Sequence, residues 1–394
     1  MEFKSWIGEI SNDKWMVYIK RLSANDTGAT KSHQVGIYFP KPVLAAIFPT
    51  INRLDEGNPE VLFKAAVDSD AVPEQELRAV YYNQKTRNEK RITRWKKGVS
   101  YTPLQDVEKT GSIAIFAFNN EGSGDSEYMR AWVCRNVDEE DYLEDRIGMV
   151  DPQSTYFERG DIIFEGIPPS GELKVEKYPP EWNDDFPSGA EIIHYLFEKR
   201  FHSDLSVDER ILKRRSHEFN LFKLVEHYHA LPLIRNGFED VENFIKLANS
   251  ITNRRKSRSG RSLELHLENI FKEEGLTRFG VQCKTEGNKK PDFLFPDCAS
   301  YHESVFPVEK LRMLAVKTTV KDRWRQILNE ASRLDSRYLF TLQQGVSENQ
   351  FHEMTVENVK LVVPKPLHSS FPKTVRSSLC SLQEFITQTK ELYF

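Results

Sequence analysis

The sequence is poor in cysteine and has no long apolar run. Four cysteines, Cys134, Cys283, Cys298 and Cys380, are scattered through 394 residues. No two form a CxxC pair, which excludes a zinc ribbon or dithiol redox motif and predicts reduced thiols in a cytosol. Nothing approaches the roughly 18 consecutive apolar residues of a membrane helix. The opening residues, MEFKSWIGEI, lack a signal-peptide core. A cytoplasmic protein with no membrane partner is expected. Neither sign of charge dominates: the formal net charge is −4 with 29% charged residues. At 39% hydrophobic the chain is not globally disordered. Its length suits two or three domains.

The balanced total hides clusters. KTRNEKRITRWKK, Lys85 to Lys97, holds a single acid among its lysines and arginines. NRRKSRSGR, Asn253 to Arg261, holds five basic residues and no acid. Acidic runs such as DEEDYLED offset them. Local basic patches, not net charge, set phosphate affinity, so a nucleic-acid partner stays open.

Residues 1 to about 165 read as short β segments: KWMVYIKRL, HQVGIYFP, SIAIFAF, YMRAWVCRN and GDIIFEG. Such spacing suggests a barrel or a sandwich. PKPVLAAIFP is a possible short helix. GIPPSGELKVEKYPPEWNDDFPSG holds five prolines and reads as a linker. The predicted boundaries are 1–168, a linker over 169–187, and 188–394. Helices follow the linker. Ser188 with Glu191, and Ser206 with Glu209, form capping boxes. The second helix is expected to end near Pro232. VENFIKLANSI reads as a third helix. In the fourth, Leu263, Leu267, Ile270 and Phe271 share one face and Gly275 closes it. Beyond Arg278, strands (RFGVQCK, PDFLFP, LRMLAVK, RYLFTLQ, NVKLVVP) alternate with helices (DRWRQILNEASRL, SENQFHEM, SLQEFITQTKEL). The fold class expected is therefore multidomain α+β, with a C-terminal α/β domain built on a central mixed sheet flanked by helices.

The chemistry concentrates at two strand ends. Asp292 opens PDFLFP and Lys317 ends LRMLAVK. Neighbouring strands bring such residues to one sheet edge. A carboxylate there suits Mg²⁺, and a lysine can orient water or offset charge on a phosphate under attack. This pattern resembles the PD…(D/E)xK nucleases with one departure. The second carboxylate, two residues before the lysine, is replaced by Ala315. On the expected α-helix after the strand, Glu330 lies at the edge of the face made by Trp324, Ile327, Leu328, Ala331 and Leu334. Glu330 can therefore supply the missing acid. Glu264, on the helix before, is a further candidate.

YIKRLSANDTGAT, KTRNEKRITRW, NRRKSRSGRSLELHLE, EGNKKPDFLFP and LRMLAVKTTVKDRWRQILNEA together resemble the EcoRII-like type IIE restriction endonucleases along essentially the whole chain. The resemblance implies a homodimer that cuts double-stranded DNA at CCWGG, before the first C, with Mg²⁺. It also implies an N-terminal β-pseudobarrel that binds a second recognition site as effector and restrains the catalytic domain. A cognate cytosine methyltransferase is expected as genetic partner. Asp292, Lys317 and Glu330 match the catalytic set, with Glu264 as an additional acid; Asp292 and Glu330 would hold the metal. Lys321, Asp322 and Arg323 match the base-reading segment, where Lys and Arg donate to guanine and Asp accepts from cytosine N4. Arg215 and Phe219 fall where a flipped base is sandwiched; Phe stands where the family leads one to expect Tyr. Lys20, Arg21, His33, Tyr38, Lys85, Arg87, Glu89, Lys90, Arg91 and Arg94 match the effector-DNA surface. Two other functions fit the residues: a non-catalytic DNA-binding regulator with a decayed nuclease domain, and a nuclease with another CC–GG specificity.

Overall fold

A computed structural model describes residues 1–29, 36–84, 88–120, 122, 124–150, 155–164 and 178–393. The architecture is mixed α+β, and the chain divides into two compact units. The first comprises Met1–Gly171 with Gln344–Phe351 and Ser369–Ser377; the second comprises the rest. Among the described residues no helix is long and apolar enough to cross a membrane.

The first unit is built on an eight-stranded sheet. Its strands are β1 (Trp15–Arg21), β2 (Ile37–Phe39), β3 (Glu60–Val67), β4 (Val72–Tyr82), β5 (Glu89–Thr93), β6 (Ile113–Asn119), β7 (Tyr128–Val133) and β8 (Tyr156–Arg159), in the order β2-β5-β4-β3-β7-β6-β1-β8. Neighbours are antiparallel except β3 and β7. Strand β6, IAIFAFN, shows why a nearly continuous apolar run is needed at the centre. Ala114, Phe116 and Phe118 enter one core with Phe39, Phe63 and Trp95. Ile113, Ile115 and Ala117 enter another with Trp6, Val17 and Trp132. That second core is covered by α1 (Phe3–Ile10) and α3 (Val137–Ile147), which bury Ile7, Ile10, Leu143 and Ile147. Two short helices, α2 (Lys41–Ile47) and α4 (Gly160–Ile163), also belong to this unit.

The second unit starts with α5 (Gly189–Glu198), α6 (Val207–Asn236) and α7 (Val241–Glu273). Both expected capping boxes form, with Ser188 and Ser206 accepting from Glu191 and Glu209 N–H. A five-stranded sheet follows, ordered β13-β12-β11-β10-β9. Its strands are β9 (Gly280–Val281), β10 (Phe293–Phe295), β11 (Arg312–Val316), β12 (Arg337–Phe340) and β13 (Val359–Val362). Strands β9, β10 and β11 are antiparallel; β11, β12 and β13 are parallel. Phe271 of α7 meets Phe293 and Phe295 of β10 edge-on, with ring centroids 5.2 and 5.7 Å apart. This contact lays α7 against the sheet and carries Glu264, two turns earlier, towards the start of β10.

Several elements differ from expectation. GDIIFEG is not a strand; Gly160–Ile163 is helical. The third and fourth helices are one continuous helix, α7, because NRRKSRSGR contains no proline and its one glycine costs only about 1 kcal/mol in a helix interior. Helix α6 runs through Pro232 to Asn236 and ends at Gly237, whose φ is +76°. The segment after β11 is not an α-helix but a 3-10 helix, Lys321–Asn329. Cys283 and Cys298 are not free thiols; they are joined in a disulfide. Cys134 and Cys380 are unbridged, and Cys134 is buried. Residues 169–177 of the expected linker lie outside the described residues, and Pro180–Asn183 forms a 3-10 turn.

Candidate active site

The register of the second sheet assembles the site. Phe293 pairs with Leu314, so Asp292 stands beside the end of β11. Its Oδ2 accepts the Val316 backbone N–H at 2.7 Å. Lys317 follows directly, held by its own N–H to Phe340 O at 3.0 Å. The Lys317 ammonium is 3.7 Å from Asp292 Oδ2, and Asp292 is 6% exposed. A buried carboxylate is tolerated only when paired and hydrogen-bonded, and here it has both.

Glu330 caps the 3-10 helix, and its backbone N–H reaches Ile327 O at 3.0 Å. With three residues per turn, Trp324, Ile327 and Glu330 form one stripe; Trp324 and Ile327 are buried along it. The α-helical azimuth expected from the sequence was incorrect, but the 3-10 period still turns Glu330 inward. Thr285 Oγ1 donates to Glu330 O and fastens the helix end. Burial pushes the Glu330 carboxyl up to about 7; Lys317 pulls it down, Asp292 pushes it further up, and Lys289 again lowers it. Among the described residues, Glu330 Oε2 is buried without a hydrogen-bond partner. Glu264 on α7 is half-buried, and burial followed by the Asp292 charge raises its carboxyl above the usual range.

Sequence reasoning missed Gln282. Its Nε2 donates to Asp292 Oδ1 at 2.8 Å and lies 3.3 Å from Glu264 Oε2. A lone glutamine after a two-residue strand carries no motif, so nothing in the sequence singled it out.

The donor set is that of a hard cation. Among the described residues, no group of three or more His, Cys, Asp and Glu side chains is placed to hold a metal ion. Asp292 and Glu330 nevertheless fit Mg²⁺, which commonly takes one or two carboxylates and completes its shell with water and phosphate oxygens. The unpartnered Glu330 Oε2 is the atom such an ion would satisfy.

The other sequence candidates are spread over both units. The side chains of Lys321 and Asp322 lie outside the described part; Arg323 is half-buried on the 3-10 helix. Arg215 on α6 donates to Glu218 Oε2 at 3.2 Å and to Ser262 Oγ. Phe219 is 7% exposed, with the Arg258 guanidinium 5.2 Å from its ring centre. Burial would raise the Glu218 carboxyl, but the His266 hydrogen bond and the Arg215 and Arg258 charges outweigh it and hold it down at about 2.

In the first unit, β2 and β5 bring Tyr38 opposite Arg91, and Lys20 reaches Tyr38 O at 3.1 Å. Lys20 also pairs with Asp26 at 2.8 Å. Arg21 is buried between Glu140 and Glu144 at 3.0 and 2.7 Å. Lys90 is buried against Asn52, and Arg91 is buried between Gly36 O and Glu89. Tyr38 stays exposed, and Arg94 lies 3.6 Å from Glu76. His33, Lys85 and Arg87 lie outside the described residues.

Known proteins place this arrangement in a class. A model described as "Restriction endonuclease EcoRII, N-terminal" matches residues 11–161, and one described as "EcoRII C terminal" matches residues 222–386. The type II restriction enzyme EcoRII of Escherichia coli is 49% identical, over 99% of this chain and 98% of that protein. Two solved structures of metal-depleted Ecl18kI, with uncleaved and with uncleaved, modified DNA, are 18% identical at a TM-score of 0.43. They cover 55% and 54% of this chain, and 85% and 80% of their own. The class is that of the restriction endonucleases, which are site-specific deoxyribonucleases. The chain belongs to the EcoRII family of type II restriction enzymes.

Proposed function

We propose that this chain is a type IIE endonuclease that hydrolyses double-stranded DNA at CCWGG, before the first C, in the presence of Mg²⁺. The observation that carries the proposal is the meeting of Asp292, Lys317 and the Glu330 carboxyl at one end of strands β10 and β11. Asp292 and Glu330 would hold the ion, which when bound polarises the scissile phosphate and lowers the pKa of an attacking water. Lys317 orients that water or offsets charge growing on the phosphate. Glu264 assists as a further acid.

Lys321, Asp322 and Arg323 read the outer C·G pairs. Arg215 and Phe219 stack on an extruded central base. In the N-terminal domain, 1–168, a β-pseudobarrel, a second CCWGG copy binds as effector through the surface around Lys20, Tyr38 and Arg94. The linker 169–187 joins it to the catalytic domain, 188–394. The enzyme acts in the cytoplasm as a homodimer, and a cognate methyltransferase protects the host sites. Relatedness along the whole chain to EcoRII supports this reading.

The test is incubation of a plasmid carrying several CCWGG, CCSGG and CCGG sites with and without Mg²⁺, followed by sequencing of the ends. Cuts before the first C of CCWGG alone are expected. Cuts at CCSGG or CCGG would overturn the specificity, and shifted but intact DNA would make the chain a regulator.

A further inference from the structure

We propose that Gln282 is a positioning residue of the nuclease site, locking Asp292 and Glu264 into one rigid pair through its side-chain amide. The inference rests on the function proposed above.

The orientation of the amide is chemically fixed. Both groups it faces, Asp292 Oδ1 at 2.8 Å and Glu264 Oε2 at 3.3 Å, are carboxylate oxygens. A carboxylate only accepts, so the NH₂ end must point at them. One neutral group thus offers a proton to each of two acids that would otherwise repel. With Val316 N–H on Oδ2 and Gln282 on Oδ1, each oxygen of Asp292 is held by one donor. The carboxylate plane is thereby set from two sides, which leaves further lone pairs for a cation.

The backbone is bent to make this possible. Gln282 has φ +51°, a left-handed conformation that a residue with a long side chain seldom adopts. It is held there from both directions. Its own N–H donates to Asp292 O at 3.2 Å, and the next residue, Cys283, is buried and bonded to Cys298. Strain of this kind persists where the surroundings over-determine it. Here the result is a side chain turned from strand β9 onto the carboxylates.

Asparagine separates the side chain from the backbone. It keeps the amide and tolerates positive φ better than glutamine, but it is one methylene shorter. If Gln282 served only the turn, Gln282→Asn would be neutral or stabilising. As a positioning residue, Gln282→Asn and Gln282→Leu weaken Mg²⁺ and Mn²⁺ binding to the DNA-free chain by about 10–100-fold. The Mg²⁺ concentration for half-maximal cleavage rises in parallel. Combining Gln282→Leu with Glu264→Gln is less than additive, because both changes break the same link.

The experiment is calorimetric Mn²⁺ titration of the full-length wild type and of these variants, alongside cleavage over a Mg²⁺ series. Wild-type ion affinity in Gln282→Asn, or full additivity with Glu264→Gln, overturns the proposal. If the wild type binds the ion without cutting DNA, the nuclease reading falls and the calorimetric comparison still decides Gln282. If the wild type binds no ion, both fall.

Discussion

Val316 donates its backbone N–H to Asp292 Oδ2 at 2.7 Å, and the residue after Val316 is Lys317. One peptide step therefore separates the group that fixes the acid from the cation that faces it. Removing the ammonium leaves Asp292 fixed and the strand intact. Lys317→Met is expected to slow single-turnover cleavage by at least about 10²-fold, the scale of losing one preorganised charge donor. Cognate DNA binding in Ca²⁺ should be unchanged. Wild-type cleavage in the variant would remove Lys317 from the chemistry.

The Glu330 carboxyl is pushed up to about 7 from its ordinary 4.5, mainly by burial. The sign follows from linkage. Between these two values the folded chain holds a proton that the unfolded chain has released, so this group's contribution to stability is lost as pH rises from about 4.5 to 7. In chelator, Glu330→Gln should match the wild type near pH 4 and melt a few degrees higher above pH 7. Parallel melting curves for the two proteins across this range would show that Glu330 is not buried as described.

Asp292 and Lys317 were legible in the sequence because a strand that opens on Pro-Asp and another that ends on lysine leave few other placements. Glu330 was legible only as an acid near an apolar stripe. Trp324 and Ile327 satisfy a period of 3.6 as well as one of 3, so the sequence could not distinguish an α-helix from the 3-10 helix that forms. Strands β3 and β4 are hard to read because Lys64, Glu74 and Glu76 stand on an exposed face and interrupt the apolar residues around them. The Cys283–Cys298 pair and Gln282 depend on the path between β9 and β10, which no local pattern encodes.

Arg214 is fully buried and forks onto Glu273, its Nη1 and Nη2 lying 2.8 and 3.0 Å from the two carboxylate oxygens. This pair joins α6 to the end of α7, the helix that carries Glu264. Glu273 also accepts from Arg210 at 2.8 Å, so Arg214→Ala removes one of its two cationic partners. The change should cost about 2 kcal/mol, read as faster hydrogen exchange of α6 and α7 amides. Unaltered exchange would show that the packing of Phe271 on the sheet alone holds α7.

Arg323 stands two residues into the 3-10 helix and is half-buried there. A bidentate arginine–guanine contact discriminates by about 1–3 kcal/mol. Arg323→Ala should weaken cognate binding in Ca²⁺ by that amount and leave non-specific binding nearly unchanged. Equal losses on both DNAs would mean that Arg323 contacts phosphate, since backbone contacts carry no direct sequence information.

Phe219 offers the sharpest test of base extrusion, because its ring is already covered. The Arg258 guanidinium lies 5.2 Å from the ring centre, and the side chain is only 7% exposed. A base entering beside Arg215 must displace that contact, worth about 0.5–2 kcal/mol. A purine stacked on phenylalanine can offset the loss, whereas an aliphatic side chain at the same place offers no π face. With 2-aminopurine at the central position of the site, wild-type complexes should show the emission of an unstacked, protein-bound base. Phe219→Leu keeps much of the volume and should return the emission towards that of the duplex. Equal emission from both complexes would leave Phe219 as part of the packing around Phe222 and would remove it from the DNA contact.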